Sequence, residues 1–253
     1  INQFEKIFNE LNIKHQTFID NPKHYDRSFF EKSGMGWQGK STMMLSPGIG
    51  PWQLLGTVYV ETNFLSTDER TYSCGECNLC QISCPTGALD NEYKLDSNKC
   101  ISYWLQSPEI IPYDMRESIG NRFYGCDECL ISCPPGQNNK IKIKTKNEFE
   151  VNLEELLETN DEVLLKKYYW FYIPKRNVDY LKRNAVIALT NNPNKSTFNF
   201  FMKLYTNSSD FLKTYILWGF WKLGKIFEIS SLLDNEVNEN LKLEYEKLKS
   251  MTS

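Results

Sequence analysis

Histidine is all but absent from this chain: only His15 and His24 occur in 253 residues. A histidine-built metal centre or acid–base pair therefore has little to draw on. Long apolar runs are missing too. No stretch approaches the roughly 18 residues needed to cross a bilayer, and the opening "INQFEKIFNE" lacks the charged-then-apolar plan of a secretion signal. A cytoplasmic protein is expected. Nor is there an excess of positive charge. The 29 Lys and Arg stand against 32 Asp and Glu, a net −3, which excludes a uniformly basic nucleic-acid binder and leaves room only for local patches. The chain starts with Ile rather than Met, so an N-terminal piece is expected to be missing.

What the chain has, in one place, is cysteine. All eight lie between positions 74 and 133. A disulfide framework would suit a small, secreted, loop-rich domain, and this chain is none of those. Thiolate–metal binding is the better reading. Cys74, Cys77, Cys80 and Cys84, followed by Pro85, form a C-x2-C-x2-C-x3-C-P run. That is the spacing of bacterial ferredoxins, in which three thiolates wrap one cubane and the fourth serves a neighbour. Zinc sites more often show two separated cysteine pairs. A second run, Cys126, Cys129 and Cys133 followed by Pro134, repeats the latter part of the motif as C-x2-C-x3-C-P, but position 123 is Phe. Cys100 is the one thiol left to complete it. By the ferredoxin exchange rule, one [4Fe–4S] cluster takes Cys74, Cys77, Cys80 and Cys133, and the other takes Cys84, Cys100, Cys126 and Cys129. No cysteine remains as a free nucleophile. Two such clusters serve either as a wire between partners or as the supply to an active site in the same protein.

The surrounding sequence divides in three, within the one large or two to three small domains expected of this length. Residues 1–33 carry helical spacing, with Phe4, Ile7, Phe8 and Leu11 on one face. "HYDRSFFEKSG" predicts a short helix closed by Gly34. "GMGWQGKST" predicts a glycine-rich turn, and "WQLLGTVYVET" a buried strand. After a lysine-rich joint, "NNKIKIKTKNE", the chain from 151 onward reads as helical, its last apolar segments spaced as stacked helix pairs.

These residues resemble epoxyqueuosine reductase. The likeness rests on "DNPKHYDRSFFEKSGMGWQGKST", the first cysteine run with "CPTGAL", "KCISYW", and "IGNRFYGCDECLISCP". It covers about residues 15–137, and "LKRNAVIALTNN" resembles the start of that family's HEAT-like helices. The displaced cysteine is its most specific point. The resemblance implies an α+β chain: a partial α/β cobalamin-binding domain over 1–72, a ferredoxin-like double [4Fe–4S] domain over 73–137, and an all-α HEAT-like domain over 138–253. It implies reduction of epoxyqueuosine to queuosine at the tRNA wobble position, through cobalamin reduced by the two clusters. An external electron donor, such as a flavodoxin or ferredoxin system, is implied as well.

The proton donor implied is Asp20, fourteen residues ahead of Gly34; its plain alternative is to cap the following helix. Met44, Leu55, Ser102 and Asp127 are implied as further cofactor contacts. Their alternatives are core residues for the first two, a local cap for Ser102 and a turn residue for Asp127. Lys40 is expected at the surface or on a phosphate. For the RNA, two basic groups are expected. One is Lys140, Lys142, Lys144 and Lys146; the other is Lys166, Lys167, Lys175, Arg176, Lys182 and Arg183, interleaved with Tyr168, Tyr169, Trp170 and Tyr172. Competing readings are a ferredoxin-like electron carrier and a relative of the corrinoid reductive dehalogenases.

Overall fold

The computed structural model describes residues 2–65, 71–137 and 151–252. They fall into two compact units, one made of Ile1–Ser97 with Asp127–Ile143 and the other of Asn98–Cys126 with Lys144–Ser253. In the first unit α1 (Asn2–Glu10) is followed by β1 (His15–Phe18), α2 (Asp26–Lys32), β2 (Trp37–Gln38), β3 (Met44–Leu45), β4 (Thr57–Val60) and α3 (Leu79–Ile82). The second unit opens with α4 (Ile101–Gln106) and α5 (Tyr113–Ile119). The chain returns to the first for α6 (Glu128–Ile131) and α7 (Pro134–Gln137). The second unit then takes α8 (Leu153–Glu158), α9 (Asp161–Lys167), α10 (Asp179–Asn191), α11 (Thr197–Thr206), α12 (Asp210–Lys222), α13 (Ser230–Asp234) and α14 (Glu239–Ser250). The whole is helix-rich with few strands. No helix is long and apolar enough to cross a membrane among the described residues.

In the first unit β1 pairs antiparallel with β4, from His15↔Val60 to Phe18↔Thr57. β2 pairs antiparallel with β3. The predicted glycine-rich turn is the tip of this second pair. Gly39 N–H donates to Met43 O at 2.8 Å, and Thr42, with φ 66°, turns the chain back. Gly36 lies just before β2 because only hydrogen fits there: a Cβ would sit 1.9 Å from Leu45 O and 2.6 Å from the Phe30 ring. α2 ends as expected, with Gly34 in the left-handed region at φ 69°. Two expectations are corrected. The helical spacing of 1–33 hides β1, whose four residues are too few to show a period of two. The strand foreseen over "WQLLGTVYVET" is confined to Thr57–Val60, because the four residues before Gly56 are irregular.

The second unit has the larger core, running from Ile101 to Leu248 and centred on Ile216, Leu217, Trp218 and Phe220 of α12. Alternate helices pack side by side, α8 on α10, α10 on α12 and α12 on α14, with α11 also against α12. Ser209 and Asn238 start α12 and α14 by accepting the backbone N–H of Leu212 (3.3 Å) and Asn240 (2.9 Å). α9 stops at Lys167, earlier than its apolar pattern predicts, because Tyr168 turns into the core.

Arg183, within α10, is wholly buried. Its guanidinium donates to the carbonyls of Ser107 (3.0 Å), Glu109 (3.0 Å) and Trp104 (3.1 Å), while Asn184 donates to Leu105 O at 2.7 Å. The two side chains thus satisfy carbonyls around the C-terminal end of α4. Arg183→Met abandons three of those acceptors. At about 1–3 kcal/mol for a buried group left unsatisfied, urea denaturation should show a loss of at least about 3 kcal/mol.

Glu236 is a second buried charge. Burial alone would raise it, but Lys213 (2.9 Å), the Asn238 N–H (3.1 Å) and the Tyr205 hydroxyl (3.1 Å) outweigh that and hold it at about 2, against an ordinary 4.5. A carboxylate depressed on folding adds stability above its unfolded value and loses it as pH falls through the folded one. The denaturation midpoint should therefore fall between about pH 4.5 and pH 2, and Glu236→Gln should flatten that part of the profile.

Candidate functional site

Two cavities lie among the described residues of the first unit. The smaller, 140 Å³, holds Cys74, Cys77, Cys80 and Cys133 in its wall. That is about the volume of four to five waters at roughly 30 Å³ each, room for a compact inorganic core. Sequence brings three of the thiols together locally. Gly75, at φ 52°, lets the chain curl so that Cys77 N–H reaches Cys74 O at 3.0 Å, and Cys80 follows on α3. Cys133 arrives from far along the chain because α3 packs on α6. The two helices end alike, in Ile82-Ser83-Cys84-Pro85 and Ile131-Ser132-Cys133-Pro134, and Ser83 Oγ meets Ser132 Oγ at 2.7 Å.

Electrostatics fit the same picture. Burial, and then the neighbouring Cys74, Cys80 and Cys77, push the Cys133 thiol up to about 11. Burial and Cys74 raise Cys80 in turn. A bound cationic centre would deprotonate thiols raised in this way. Among the described residues no three His, Cys, Asp or Glu side chains converge on a single-ion site. Four cysteines in the wall of one cavity suit a cubane with one sulfur per iron. Of the other cysteines, Cys84 and Cys129 belong to the first unit, Cys100 and Cys126 to the second.

The larger cavity, 980 Å³, brings three expected residues together: Asp20, Met44 and Leu55. Asp20 follows β1 in the left-handed region (φ 48°), is exposed, and lies six positions before α2, so it does not cap that helix. Its loop is pinned by His24, which stacks between Phe18 (4.9 Å) and Phe29 (5.0 Å) with Nε2 3.3 Å from Asp26 Oδ1. Asp26 in turn accepts from Thr57 Oγ1 at 2.6 Å. The wall is largely apolar, with Ile19, Pro22, Met43 and Leu54 beside Met44 and Leu55.

One element serves both cavities. In the β2–β3 hairpin, the pair Trp37↔Leu45 lines the cysteine cavity and the pair Gln38↔Met44 lines the other. The alternation of side chains along a strand makes this hairpin a wall with one face to each. Sequence reading singled out Met44 but missed Trp37, Gln38 and His24, because strands of two residues are too short to show which side chain faces which way.

Elsewhere the expectations divide. Ser102 sits on α4 and accepts from Gln106 Nε2 at 3.2 Å. Asp127 occupies the N-terminal cap position of α6 without a side-chain cap bond, and it is not in the wall of the Asp20 cavity. Lys40 is corrected: it is buried, with Nζ 2.7 Å from Glu92, so it is no surface phosphate contact. Two members of the basic patch are corrected too. Arg183 is consumed by carbonyls, as above, and Lys182 is paired with Asp161 at 2.7 Å. Tyr168 is a core residue, whereas Tyr169, Trp170 and Tyr172 are exposed. Lys140, Lys142, Lys144 and Lys146 lie outside the described residues.

Comparison with known proteins bears on both cavities. The family of the 4Fe-4S double cluster binding domain matches residues 73–136. The epoxyqueuosine reductase of Francisella cf. novicida is 34% identical over 206 residues, 76% of this chain and 56% of that protein. That of Vibrio cholerae is 29% identical over 223 residues, 85% of this chain and 60% of that protein. Among solved structures, an epoxyqueuosine reductase with an epoxyqueuosine-modified tRNA-Tyr stem loop superposes with a TM-score of 0.83. It shares 26% identity and covers 98% of this chain and 68% of its own. The Bacillus subtilis epoxyqueuosine reductase gives 0.84, 26%, 98% and 68%. This chain is a homologue of the epoxyqueuosine reductases. It spans a little over half the length of the curated epoxyqueuosine reductases it matches.

Iron content gives a direct check. After anaerobic reconstitution, two cubanes demand about eight irons per chain. Cys133→Ser should lower that to about four, measured by iron and acid-labile sulfide assays.

Proposed function

We propose that this chain takes part in reducing epoxyqueuosine to queuosine at the wobble position of tRNA. The observation that carries the proposal is the hairpin whose two faces line the four-cysteine cavity and the Asp20 cavity. In this reading one [4Fe–4S] cluster is held by Cys74, Cys77, Cys80 and Cys133, the other by Cys84, Cys100, Cys126 and Cys129. Cobalamin binds over the wall of Met44 and Leu55, with Ser102 and Asp127 as further contacts. A capacious, open, largely apolar cavity with a carboxylate at its edge suits a large corrin. The finer architecture is a partial cobalamin-binding domain, a ferredoxin-like double-cluster domain and HEAT-like helices. The side-by-side stacking of α8, α10, α12 and α14 supports the last.

Cobalamin, when bound, supplies the reducing equivalents at the substrate. In the overall reaction two electrons and two protons enter, both C–O bonds of the epoxide break, a C=C bond forms and the oxygen leaves as water. The chain's own residues supply the setting. Ile19, Pro22, Met44 and Leu55 exclude water from the reacting face. Asp20 delivers one proton to the departing oxygen and is recharged from solvent, to which it is open. Its place at the edge of the cavity is that of a general acid within reach of the reacting atoms. The Bacillus subtilis relative has been captured with its catalytic aspartate loop swung out of the active site, which supports a loop-borne acid here.

The tRNA meets the exposed Lys166, Lys167, Lys175 and Arg176, with Tyr169, Trp170 and Tyr172 available to stack on bases. A relative bound to a modified stem loop supports that class of substrate. Electrons come from an external carrier such as a flavodoxin or ferredoxin, in the cytoplasm. A plain electron carrier would have no use for the Asp20 cavity.

A strain lacking this gene should accumulate epoxyqueuosine in its tRNA, detected by mass spectrometry of nucleosides. A normal queuosine level would reject the proposal. Asp20→Asn should retain cluster absorbance while its turnover falls by about 10²–10⁴-fold, the usual contribution of a positioned acid.

A further inference from the structure

We propose that Trp37 raises the reduction potential of the cluster held by Cys74, Cys77, Cys80 and Cys133, by donating a hydrogen bond to one of its ligand sulfurs. The inference rests on the cluster assignment above and is independent of which substrate is reduced. Trp37 Nε1 lies 3.4 Å from Cys74 Sγ and is partly buried. An indole nitrogen can only donate, so the direction of this bond is fixed.

The donor is also held in place. Trp37 is locked opposite Leu45 by the hairpin register, and its ring leans on Tyr72 with centroids 5.5 Å apart. The preceding Gly36 admits no Cβ, which keeps the strand tight against Phe30. One-electron reduction adds a negative charge to the iron–sulfur core and its thiolates. A donor aimed at a ligand sulfur stabilises the reduced form more than the oxidised one, and hydrogen bonds to the sulfurs are among the recognised determinants of cluster potential.

Two comparisons make the effect specific. Lys40 lines the same cavity, but its charge is matched by Glu92 at 2.7 Å, so little net charge remains to act on the core. At Cys84, assigned to the other cluster, the side-chain contact is the Thr86 hydroxyl at 3.7 Å, longer than the indole bond. The cluster against the hairpin is thereby made easier to reduce than it would be without the indole, on the hairpin face opposite the one that lines the Asp20 cavity.

The test is a redox titration of the reconstituted protein under anaerobic conditions, followed by electron paramagnetic resonance. Trp37→Phe should move one of the two transitions to a more negative potential. The expected shift is up to tenfold in the reduced-to-oxidised ratio at a fixed poise, which for one electron is about 59 mV. The second transition should stay, and Thr86→Val should leave the first in place. Both transitions unmoved at full iron content would overturn the inference while sparing the clusters. Should Trp37→Phe fail to take up iron, unmutated protein grown with ¹⁵N-tryptophan decides the matter. Pulsed measurements on the reduced cluster should show a ¹⁵N coupling, and its absence overturns the proposal. Wild-type protein that holds no iron would remove the cluster assignment, and this inference with it.

Discussion

The first unit depends on four sulfur atoms meeting in one small cavity. Its buried apolar side chains are few, chiefly Phe30, Met44, Leu45, Ala88 and Leu89, against the long core of the helical unit. So small a core stabilises a fold only marginally. Cys133 must nevertheless be held against Cys74, Cys77 and Cys80 across a long stretch of intervening chain, and burial with like neighbours pushes its thiol up. A cationic core bound there would cancel that repulsion and close the loop at once, which would make folding and metal binding one equilibrium, as in other small metal-dependent domains. The Ser83–Ser132 contact and the packing of α3 on α6 align the two halves of the motif, but hydrogen bonds of that kind are each modest in net worth.

The same economy explains the hairpin. A two-stranded sheet of two residues each cannot stand alone in water. Its alternate faces are useful only because each is covered: Leu45 is almost wholly buried, and Gln53 clamps the other edge by donating to Met44 O at 3.2 Å while accepting from Ser46 at 2.7 Å. A shift of one residue in register would exchange Trp37 for Gln38 beside the sulfurs and send Met44 away from the larger cavity. Gly36 guards against that slip by allowing backbone contact with Leu45 that no other residue permits. The four-cysteine cavity on one side and the apolar cavity on the other are therefore coupled through the geometry of four residues.

How much of this was readable beforehand follows from the range of each interaction. Cysteine spacing is a local signal with strict chemistry, and it announced both the double-cluster domain and, with Cys133, a long-range partner. Helices of ten residues or more, such as α10 and α12, were legible because two or three turns suffice to show an apolar stripe. β1 and β2 were not, since two to four residues carry no period. The side-chain partners were the least legible of all. Lys40 reads as a solvated lysine until Glu92 is found beside it, and His24 reads as a spare histidine until Phe18 and Phe29 close on its ring.

Arginine shows the same limit in a form that bears on function. Counted along the sequence, Lys182 and Arg183 enlarge a basic patch. In the fold, Arg183 is spent on three carbonyls and Lys182 on Asp161, while Arg116 is enclosed by the rings of Tyr113 (4.7 Å) and Tyr215 (4.3 Å). Burying a guanidinium is costly unless its donors are met. These side chains therefore report on how the helices are joined. What remains exposed is Lys166, Lys167, Lys175 and Arg176; the last two, at φ 50° and 53°, sit on a turn that strains two side-chain-bearing residues in succession, close in sequence to three exposed aromatic rings. Strain of this kind persists only where the surroundings hold it. Here Arg176 supplies the restraint itself, donating to Leu165 O at 2.9 Å and Phe171 O at 3.3 Å. The turn is thus fixed by one of the two residues that carry its charge.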